Sequence, residues 1–188
     1  RVSEQGWLGR RGGIDMMVAM NPQTWDADIA EIEPGGYLFY DATRHVPTEK
    51  LRPDIQVIGM PLTEISNASY SEPRQRQLFK NIIYVGALSQ LLGVDESVFE
   101  KLFSEQYKGK ELLLQSNMKA LRMGRDWMQE NHNATFGLKV QAADRVGDRI
   151  FTDGNSAAAL GCVYGGASVA AWYPITPSSS RSEEHTSE

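Results

Sequence analysis

The sequence predicts an α/β protein. Short apolar runs of strand length recur in the first third of the chain, and apolar residues at helical spacing separate two of these runs and continue through the middle of the chain. The composition is typical of a folded globular protein, with 41% hydrophobic and 23% charged residues among 188. The order strand, helix, strand, strand therefore favours an α/β sheet.

The first predicted strand covers residues 14–20. This apolar run is closed by Asn21 and Pro22, because proline disfavours continued strand pairing. Residues 23–32 then predict a helix, since their apolar side chains recur at spacings of four and three: Trp25, Ile29 and Ile32.

Two further strands are predicted after this helix. Residues 34–36, Pro-Gly-Gly, are expected to break the helix. The aromatic run at 37–40 predicts the second strand, which ends at Asp41. A third strand is predicted over the apolar run at 55–61.

Three helices are predicted in the middle of the chain. Residues 75–92 carry apolar side chains around more than half of a helical wheel, so this helix is expected to be mostly buried and to end at Gly93. Asp95 is expected to cap the next helix. A third, amphipathic helix is predicted over residues 110–130. We expect these helices to build a core and to carry no chemistry.

Helical periodicity is lost after residue 131, where Asn, His, Gly, Lys and Asp accumulate. We therefore predict a first domain over residues 1–140, a linker over 141–149 and the start of a second domain over 150–180.

The second domain is predicted to begin with one strand, one helix and one strand. Residues 150–152 form the first strand, and Asn155 is placed to cap an Ala-rich helix over 156–164. Residues 167–172 form a further strand of small residues. This strand leads into the segment Tyr-Pro-Ile-Thr-Pro-Ser-Ser at 173–179.

The last eight residues differ in character from the rest. Residues 181–188, Arg-Ser-Glu-Glu-His-Thr-Ser-Glu, contain no apolar side chain. They also resemble, codon for codon, the in-frame translation of a common short-read sequencing adapter. We therefore expect a non-native tail and exclude it from the fold prediction, as one would a tag. The native part is then expected to be a fragment, truncated at both ends.

Charge and cysteine content narrow the classes of function. Acidic residues number 24 and basic residues 19, for a formal charge of −5, which disfavours binding to nucleic acid. A single cysteine, Cys162, and three histidines provide no ligand set for zinc or an iron–sulfur cluster, and Cys162 is expected to be a buried small hydrophobe. The uncharged stretch at 154–180 is a poor membrane span because Gly, Ser and Pro interrupt it. No export signal is visible, so a cytoplasmic location is expected.

Two motifs in the second domain carry a family resemblance. Residues 153–161, Asp-Gly-Asn-Ser-Ala-Ala-Ala-Leu-Gly, and then 173–179 resemble the start of the pyrimidine-binding domain of 2-oxoacid:ferredoxin oxidoreductases. The first 140 residues are similar, more loosely, to the gamma domain of that family through three segments: Val18–Asn21, Pro34–Gly36 and Asn81–Gly93. The resemblance implies a Rossmann-like gamma domain followed by the first βαβ of a thiamine-pyrimidine-binding α/β domain, as in 2-oxoglutarate-type alpha subunits.

The resemblance also implies an activity and partners. The family carries out thiamine diphosphate-dependent oxidative decarboxylation of a 2-oxo acid to an acyl-coenzyme A, with electrons passing to ferredoxin. It implies that thiamine diphosphate, Mg²⁺ and an iron–sulfur cluster belong to the full complex, on the beta subunit or shared with it. The implied partners are the beta subunit, ferredoxin, coenzyme A and the 2-oxo acid. This chain alone is expected to bind none of the cofactors and to be inactive.

Residues 173–176 are the predicted substrate-binding segment. Tyr173 and Thr176 each precede a proline, which pushes them toward extended conformations. Thr176 is then placed to cap the following helix, with Pro177 in its first turn. A helix N-terminus favours an anion such as the carboxylate of a 2-oxo acid. By the resemblance, Thr176 contacts this carboxylate, and the neighbouring site residues are Tyr173, Pro174 and Ile175.

Other interpretations remain open. In a non-catalytic α/β binding or assembly module, Asn155 and Thr176 would serve only as helix caps. A generic Rossmann nucleotide binder is disfavoured because no GxGxxG turn follows a strand. Arg74 and Arg76 could face a phosphate of coenzyme A, or they could lie in a solvated first helical turn.

Overall fold

The computed structural model describes residues 13–44, 46, 51–132, 136–143, 147–150 and 152–171. The chain divides into two compact units, Arg1–Ala143 (unit 1) and Asp144–Glu188 (unit 2). In unit 2 the described helix is α6 (Gly154–Tyr164). The described elements of unit 1 are β1 (Ile14–Ala19), α1 (Trp25–Ala30), β2 (Ile32–Asp41), β3 (Gln56–Met60), α2 (Leu62–Ser69), α3 (Pro73–Leu91), α4 (Glu96–Gln106) and α5 (Glu111–Asn131).

The three strands form a parallel sheet in the order β1, β2, β3, which confirms the predicted α/β class. Both faces of the sheet are covered. Leu38 belongs to a buried cluster with Trp25 of α1, whereas its neighbour Phe39 belongs to a second cluster with Ile83 of α3 and Met128 of α5. Successive side chains of a strand point to opposite faces, so a sheet buried on both faces needs apolar residues at every position.

Strand β2 begins earlier than the sequence predicts. Residues 34–36 were expected to separate a helix from a strand, but they lie within β2. Ile14 of β1 pairs with Ile32, and Met16 pairs with Tyr37, so a step of two residues in β1 matches a step of five in β2. The surplus residues of β2 form an irregular bulge, a position that accepts both proline and glycine.

Helix α2 is not predicted by the sequence pattern. It begins directly after β3, and its connection to α3 is held by side-chain bonds to the backbone. Ser66 Oγ donates to the carbonyl of Arg76 at 2.6 Å, and Arg76 Nε donates to the carbonyl of Tyr70 at 2.7 Å. Arg76 is therefore engaged inside unit 1, while Arg74 is exposed.

Helices α3 and α5 cross at very short range. A Cβ atom added at Gly86 would lie 2.0 Å from the carbonyl oxygen of Leu121, and one added at Gly124 would lie 1.9 Å from that of Ile83. Glycine is required at both positions because any side chain would push the helices apart. This contact buries the second half of α3. The first half is not buried, as Leu78 is 56% exposed, so the expectation of a mostly buried helix is wrong there.

The helix ends predicted between α3 and α4 are confirmed. Gly93 follows α3 with a φ of +68°, and the amide of Val94 donates to the carbonyl of Ser89 at 2.9 Å. These are the features of a Schellman motif. Asp95 caps α4, with its Oδ1 accepting from the amide of Ser97 at 2.8 Å.

In unit 2 the cap of α6 is Asp153 and not Asn155. The Oδ1 of Asp153 accepts from the amides of Asn155 at 2.8 Å and Ser156 at 3.1 Å. Asp153 has the extended backbone of an N-cap residue, whereas Asn155 already lies inside the helix, where it cannot cap it. The expectation that Cys162 is buried is also wrong, because it is exposed on α6.

The two strands predicted beside α6 are not found among the described residues. Ile150, Thr152 and residues 167–171 belong to no strand, while Phe151 and Trp172 lie outside the described residues. A strand is stabilised by hydrogen bonds to a neighbouring strand. The described part of unit 2 contains no such neighbour.

Candidate functional site

A cleft of about 450 Å³ lies at the carboxyl ends of β1 and β2, beside the start of α2. Ligands of parallel α/β sheets bind at this edge. Apolar and aromatic side chains, among them Met20, Trp25 and Tyr40, form one part of its wall. The other part is polar and is centred on Asp41, the last residue of β2.

Asp41 joins three elements around the cleft. Its Oδ2 accepts a hydrogen bond from Thr63 Oγ1 of α2, and its Oδ1 accepts from the amides of Thr43 at 3.1 Å and Thr63 at 3.3 Å. Lys80 Nζ of α3 lies 3.7 Å from the same Oδ2 and donates to Thr63 Oγ1 at 3.3 Å. The carboxylate thus connects the end of β2 to α2 and α3.

The position of Asp41 explains its charge state. Burial raises the pKa of its carboxyl, but the hydrogen bonds from Thr63 and Thr43 outweigh this effect and hold the pKa below its ordinary value. The ionised group lies at the first turn of α2, where backbone amides lack partners within the helix and the helix dipole favours a negative charge. The start of α2 is therefore already occupied by an anion of the protein itself.

The aromatic wall contains an unsatisfied donor. Trp25 and Tyr40 form an edge-to-face pair with ring centroids 5.5 Å apart. Trp25 is only 8% exposed, and its indole N–H is buried without a hydrogen-bond partner. Most buried polar groups in folded proteins have a hydrogen-bond partner, so the unpaired indole N–H of Trp25 is an exception.

This cleft is not among the sites that the sequence predicts. Asp41 is predicted only as the last residue of a strand, and the sequence pattern predicts no role for Thr63 or Lys80. One signal was present, since an acidic residue directly after a buried strand lies at the edge where parallel sheets bind ligands. Nothing in the sequence indicated that Thr63 or Lys80 would lie near it, because α2 was not predicted and the approach of α3 to the end of β2 depends on tertiary packing.

The predicted substrate-binding segment lies outside the described residues. This holds for Tyr173, Pro174, Ile175 and Thr176 alike, so their role stays a prediction. The described start of unit 2 shows a local feature only. Asp153 holds the first turn of α6, and its hydrogen bonds with Ser156 and the amide of Asn155 lower the pKa of its carboxyl.

The described residues do not fit a metal ion or an iron–sulfur cluster. Within them, no group of three or more His, Cys, Asp or Glu side chains is placed to hold a metal. Cys162, the single cysteine of the chain, is exposed on α6. A cluster needs several thiolate ligands, and the described residues contain one thiol.

Across the described ranges, no helix is both long and apolar enough to cross a membrane.

Comparisons with known proteins agree on one family. Residues 1–127 match the family model described as pyruvate ferredoxin/flavodoxin oxidoreductase. The chain is 23% identical to the alpha subunit of 2-oxoacid:ferredoxin oxidoreductase 2 of Aeropyrum pernix, over 88% of this chain and 32% of that subunit. It is 26% identical to ketoisovalerate oxidoreductase subunit VorA of Methanothermobacter thermautotrophicus, over 62% of this chain and 23% of that subunit.

A solved structure agrees with these relatives. The 2-oxoglutarate:ferredoxin oxidoreductase of Magnetococcus marinus, with 2-oxoglutarate, coenzyme A and succinyl-CoA bound, matches with a TM-score of 0.72 and 26% identity. The match covers 90% of this chain and 29% of that one, so the chain spans less than a third of that protein. The family model covers well over half of the present sequence. The chain therefore belongs to the pyruvate ferredoxin/flavodoxin oxidoreductase family.

Proposed function

We propose that this chain is part of the alpha subunit of a cytoplasmic 2-oxoacid:ferredoxin oxidoreductase of the 2-oxoglutarate type. Residues 1–140 form its gamma domain, residues 141–149 a linker, and residues 150–180 the start of its pyrimidine-binding domain. Residues 181–188 are a non-native tail. The complete enzyme oxidatively decarboxylates a 2-oxo acid and transfers the acyl group to coenzyme A, while two electrons pass to ferredoxin.

The observation that carries this proposal is the breadth of the structural match. The Magnetococcus enzyme matches 90% of this chain, which is more than the length of unit 1 alone. A gamma domain and the beginning of a second domain in one polypeptide are what the 2-oxoglutarate-type arrangement requires. The substrates bound in that enzyme support a 2-oxo acid and coenzyme A as the substrate classes here.

The cofactors are assigned to the assembled complex. Thiamine diphosphate supplies the carbanion chemistry when it is bound. Because the described residues offer no ligand set for a metal or cluster, we place Mg²⁺ and the iron–sulfur cluster on the beta subunit or at a site shared with it. The role of this chain is to bind and orient the 2-oxo acid through residues 173–176, with Thr176 donating to its carboxylate.

The test uses an alpha subunit extended to the length of its relatives and assembled with its beta subunit. Thr176→Val removes the hydroxyl, whereas Thr176→Ser keeps it and serves as the matched control. If Thr176 binds the carboxylate, Val should lower kcat/KM by about ten- to a hundredfold, the effect of one charge-assisted hydrogen bond. Ser should retain most of the activity.

Reduction of a viologen dye in the presence of 2-oxo acid and coenzyme A measures this activity. If the Val variant has wild-type kcat/KM and is only less stable, Thr176 is a helix cap and the substrate contact lies elsewhere. If the wild-type complex reduces no dye with any 2-oxo acid, the enzyme assignment itself is wrong, and a non-catalytic assembly module becomes the better interpretation.

A further inference from the structure

A short segment that follows α5 in the chain is tied to two other elements of unit 1. Residues 136–140 (the strap) belong to no helix or strand. The amide of Gly137 donates to Tyr37 Oη of β2 at 2.9 Å. The amide of Val140 donates to the carbonyl of Leu92, directly after α3, at 2.9 Å. The strap is therefore fixed at one point to β2 and at another to the end of α3.

Both hydrogen bonds supply a partner that the neighbouring element lacks. Carbonyl groups at the end of a helix have no donor within that helix, so Val140 provides one for Leu92. Tyr37 is only 8% exposed, and a buried hydroxyl normally has a polar partner. The ring of Phe136 contacts that of Tyr37, with centroids 4.2 Å apart, and Leu138 packs against the same buried cluster. The strap thus has a defined closed position on unit 1.

The strap is nevertheless loosely packed in this position. Gly137 and Lys139 are exposed, while Phe136, Leu138 and Val140 are half-buried, so none of its five residues is fully buried. A cavity of about 310 Å³ lies next to it, lined by residues of the strap, of α3 and of α5. Well-packed interiors leave few voids of this size. Release of the strap therefore breaks far fewer contacts than unfolding of unit 1.

We propose that the strap is a releasable attachment for the connector between the two units. Segments with few buried contacts open while the rest of a protein stays folded. With the strap closed, the free connector begins after Val140. With the strap open, it begins after α5, which ends at Asn131, and so gains residues 132–140. At about 3.3 Å per residue this adds about 30 Å to its maximum span, so the strap sets the reach of the connector.

Native-state hydrogen exchange of the full 188-residue chain tests whether the strap opens separately. Exchange through local opening depends little on low concentrations of urea, whereas exchange through global unfolding becomes faster as urea is added. We expect the amides of Gly137 and Val140 to exchange at least tenfold faster than that of Leu121 in α5, with little dependence on urea. If the three amides share one rate and one urea dependence, the strap opens only with unit 1, which overturns the proposal.

Limited digestion with trypsin tests whether the strap is closed for most of the time. Lys139 lies in the strap, whereas Arg149 is exposed in the connector and provides the reference within the same molecule. Cleavage of a folded protein reports the population of its opened form. We therefore expect cleavage after Lys139 to be at least tenfold slower than cleavage after Arg149. Equal rates would mean that the strap is not closed in solution, which also overturns the proposal.

Two substitutions should open the strap. Tyr37→Phe removes the hydroxyl that accepts from Gly137, so cleavage after Lys139 should become about two- to tenfold faster, the effect of one hydrogen bond. Gly137→Ala should act in the same direction, because its Cβ would lie 2.7 Å from Tyr37 Oη. Tyr107→Phe is the matched control, since Tyr107 packs against another cluster, that of Phe103, and should leave the rate unchanged. Equal effects of the two Tyr→Phe variants would overturn the proposed attachment at Tyr37.

Discussion

Helices α5 and α6 both carry many apolar residues, but only α5 has a buried face. In α5 of unit 1, Leu121 and Met128 are at most 1% exposed. In α6 of unit 2, Leu160 is 38% and Val163 61% exposed, and Ser156 is the buried residue of the helix. Apolar composition alone therefore does not decide whether a helix is buried.

The difference lies in the surroundings of the two helices. α5 packs against α3 at the Gly86 and Gly124 crossing and against α4 through Phe103 and Leu121. Within the described part of unit 2, no second helix or strand accompanies α6. A helix of eleven residues has little stability in water without tertiary contacts. We expect unit 1 to unfold cooperatively and α6 to depend on local interactions.

The largest effect is expected where the two helices of unit 1 touch. Gly124→Ala places a Cβ atom where the Ile83 carbonyl oxygen would be 1.9 Å away. Relief of this overlap must separate α3 from α5, so the free energy of unfolding should fall by about 3 kcal/mol. Urea unfolding of the variant and the wild type measures this loss.

Gly161→Ala in α6 is the matched control for that substitution. Apart from its two chain neighbours and the backbone of α6 itself, no heavy atom lies within 4 Å of the position its Cβ would take. Alanine favours a helix over glycine by about 1 kcal/mol, so α6 should become more helical while the urea midpoint of unit 1 stays the same. Equal losses from both alanine variants would contradict the contrast between the two helices.

A second, smaller effect is expected at the carboxylate that joins β2, α2 and α3. The Asp41 carboxylate accepts hydrogen bonds from Thr63 and Thr43 and pairs with Lys80. Asp41→Asn replaces it by a neutral amide, so the free energy of unfolding of unit 1 should fall by about 1–3 kcal/mol. Asp126→Asn, at an exposed position on α5, is the control and should change stability by less than about 0.5 kcal/mol.

The same carboxylate predicts a dependence on pH. The pKa of Asp41 is lower in the folded state than in the unfolded chain, so its contribution is fully present above the unfolded pKa of about 4 and is lost as the pH falls below that value. The Asp41→Asn variant should therefore lose less stability than the wild type between pH 5 and pH 3. The difference between the two losses should be similar in size to the free energy of the charge-assisted hydrogen bonds that the substitution removes. Parallel pH profiles for both proteins would show that Asp41 does not titrate with folding.

Asp153, the carboxylate of unit 2, should act only locally. Asp153→Ala removes the cap of α6, so amide hydrogens of residues 156–164 should exchange faster. The protected amides of α3 and α5 should not change. Hydrogen exchange measured by mass spectrometry distinguishes the two regions, and slower exchange in α6 than in α5 of the wild type would reverse the comparison.

The smallest effect is expected from deleting residues 181–188. These residues contain no apolar side chain to bury, so their removal should leave the urea midpoint unchanged within error. A loss of more than about 1 kcal/mol would exceed the effect of ordinary surface changes and would mean that the segment contributes to the fold.

Much of unit 1 could be predicted because its signals are local. The strands at β1 and β3 follow from continuous apolar runs, and α5 follows from apolar spacing. The boundary between α3 and α4 follows from Gly93 and Asp95, whose conformational preferences act over one turn. The sequence predicts Asn155 as the cap of α6, whereas the cap is Asp153. The error is two positions, because both residues are of a type that caps helices and both lie next to the start of α6.

The sequence by itself therefore determined the α/β class, the order of most elements and the family of this protein, because repeating side-chain patterns and short motifs depend on near neighbours in the chain. The tertiary structure decided which half of α3 is buried, how β2 absorbs its Pro-Gly-Gly bulge, and which residues line the cleft. Those features require groups far apart in the chain to meet. Asp41 and Thr63 are 22 positions apart, and only the folded sheet brings the end of β2 to the start of α2.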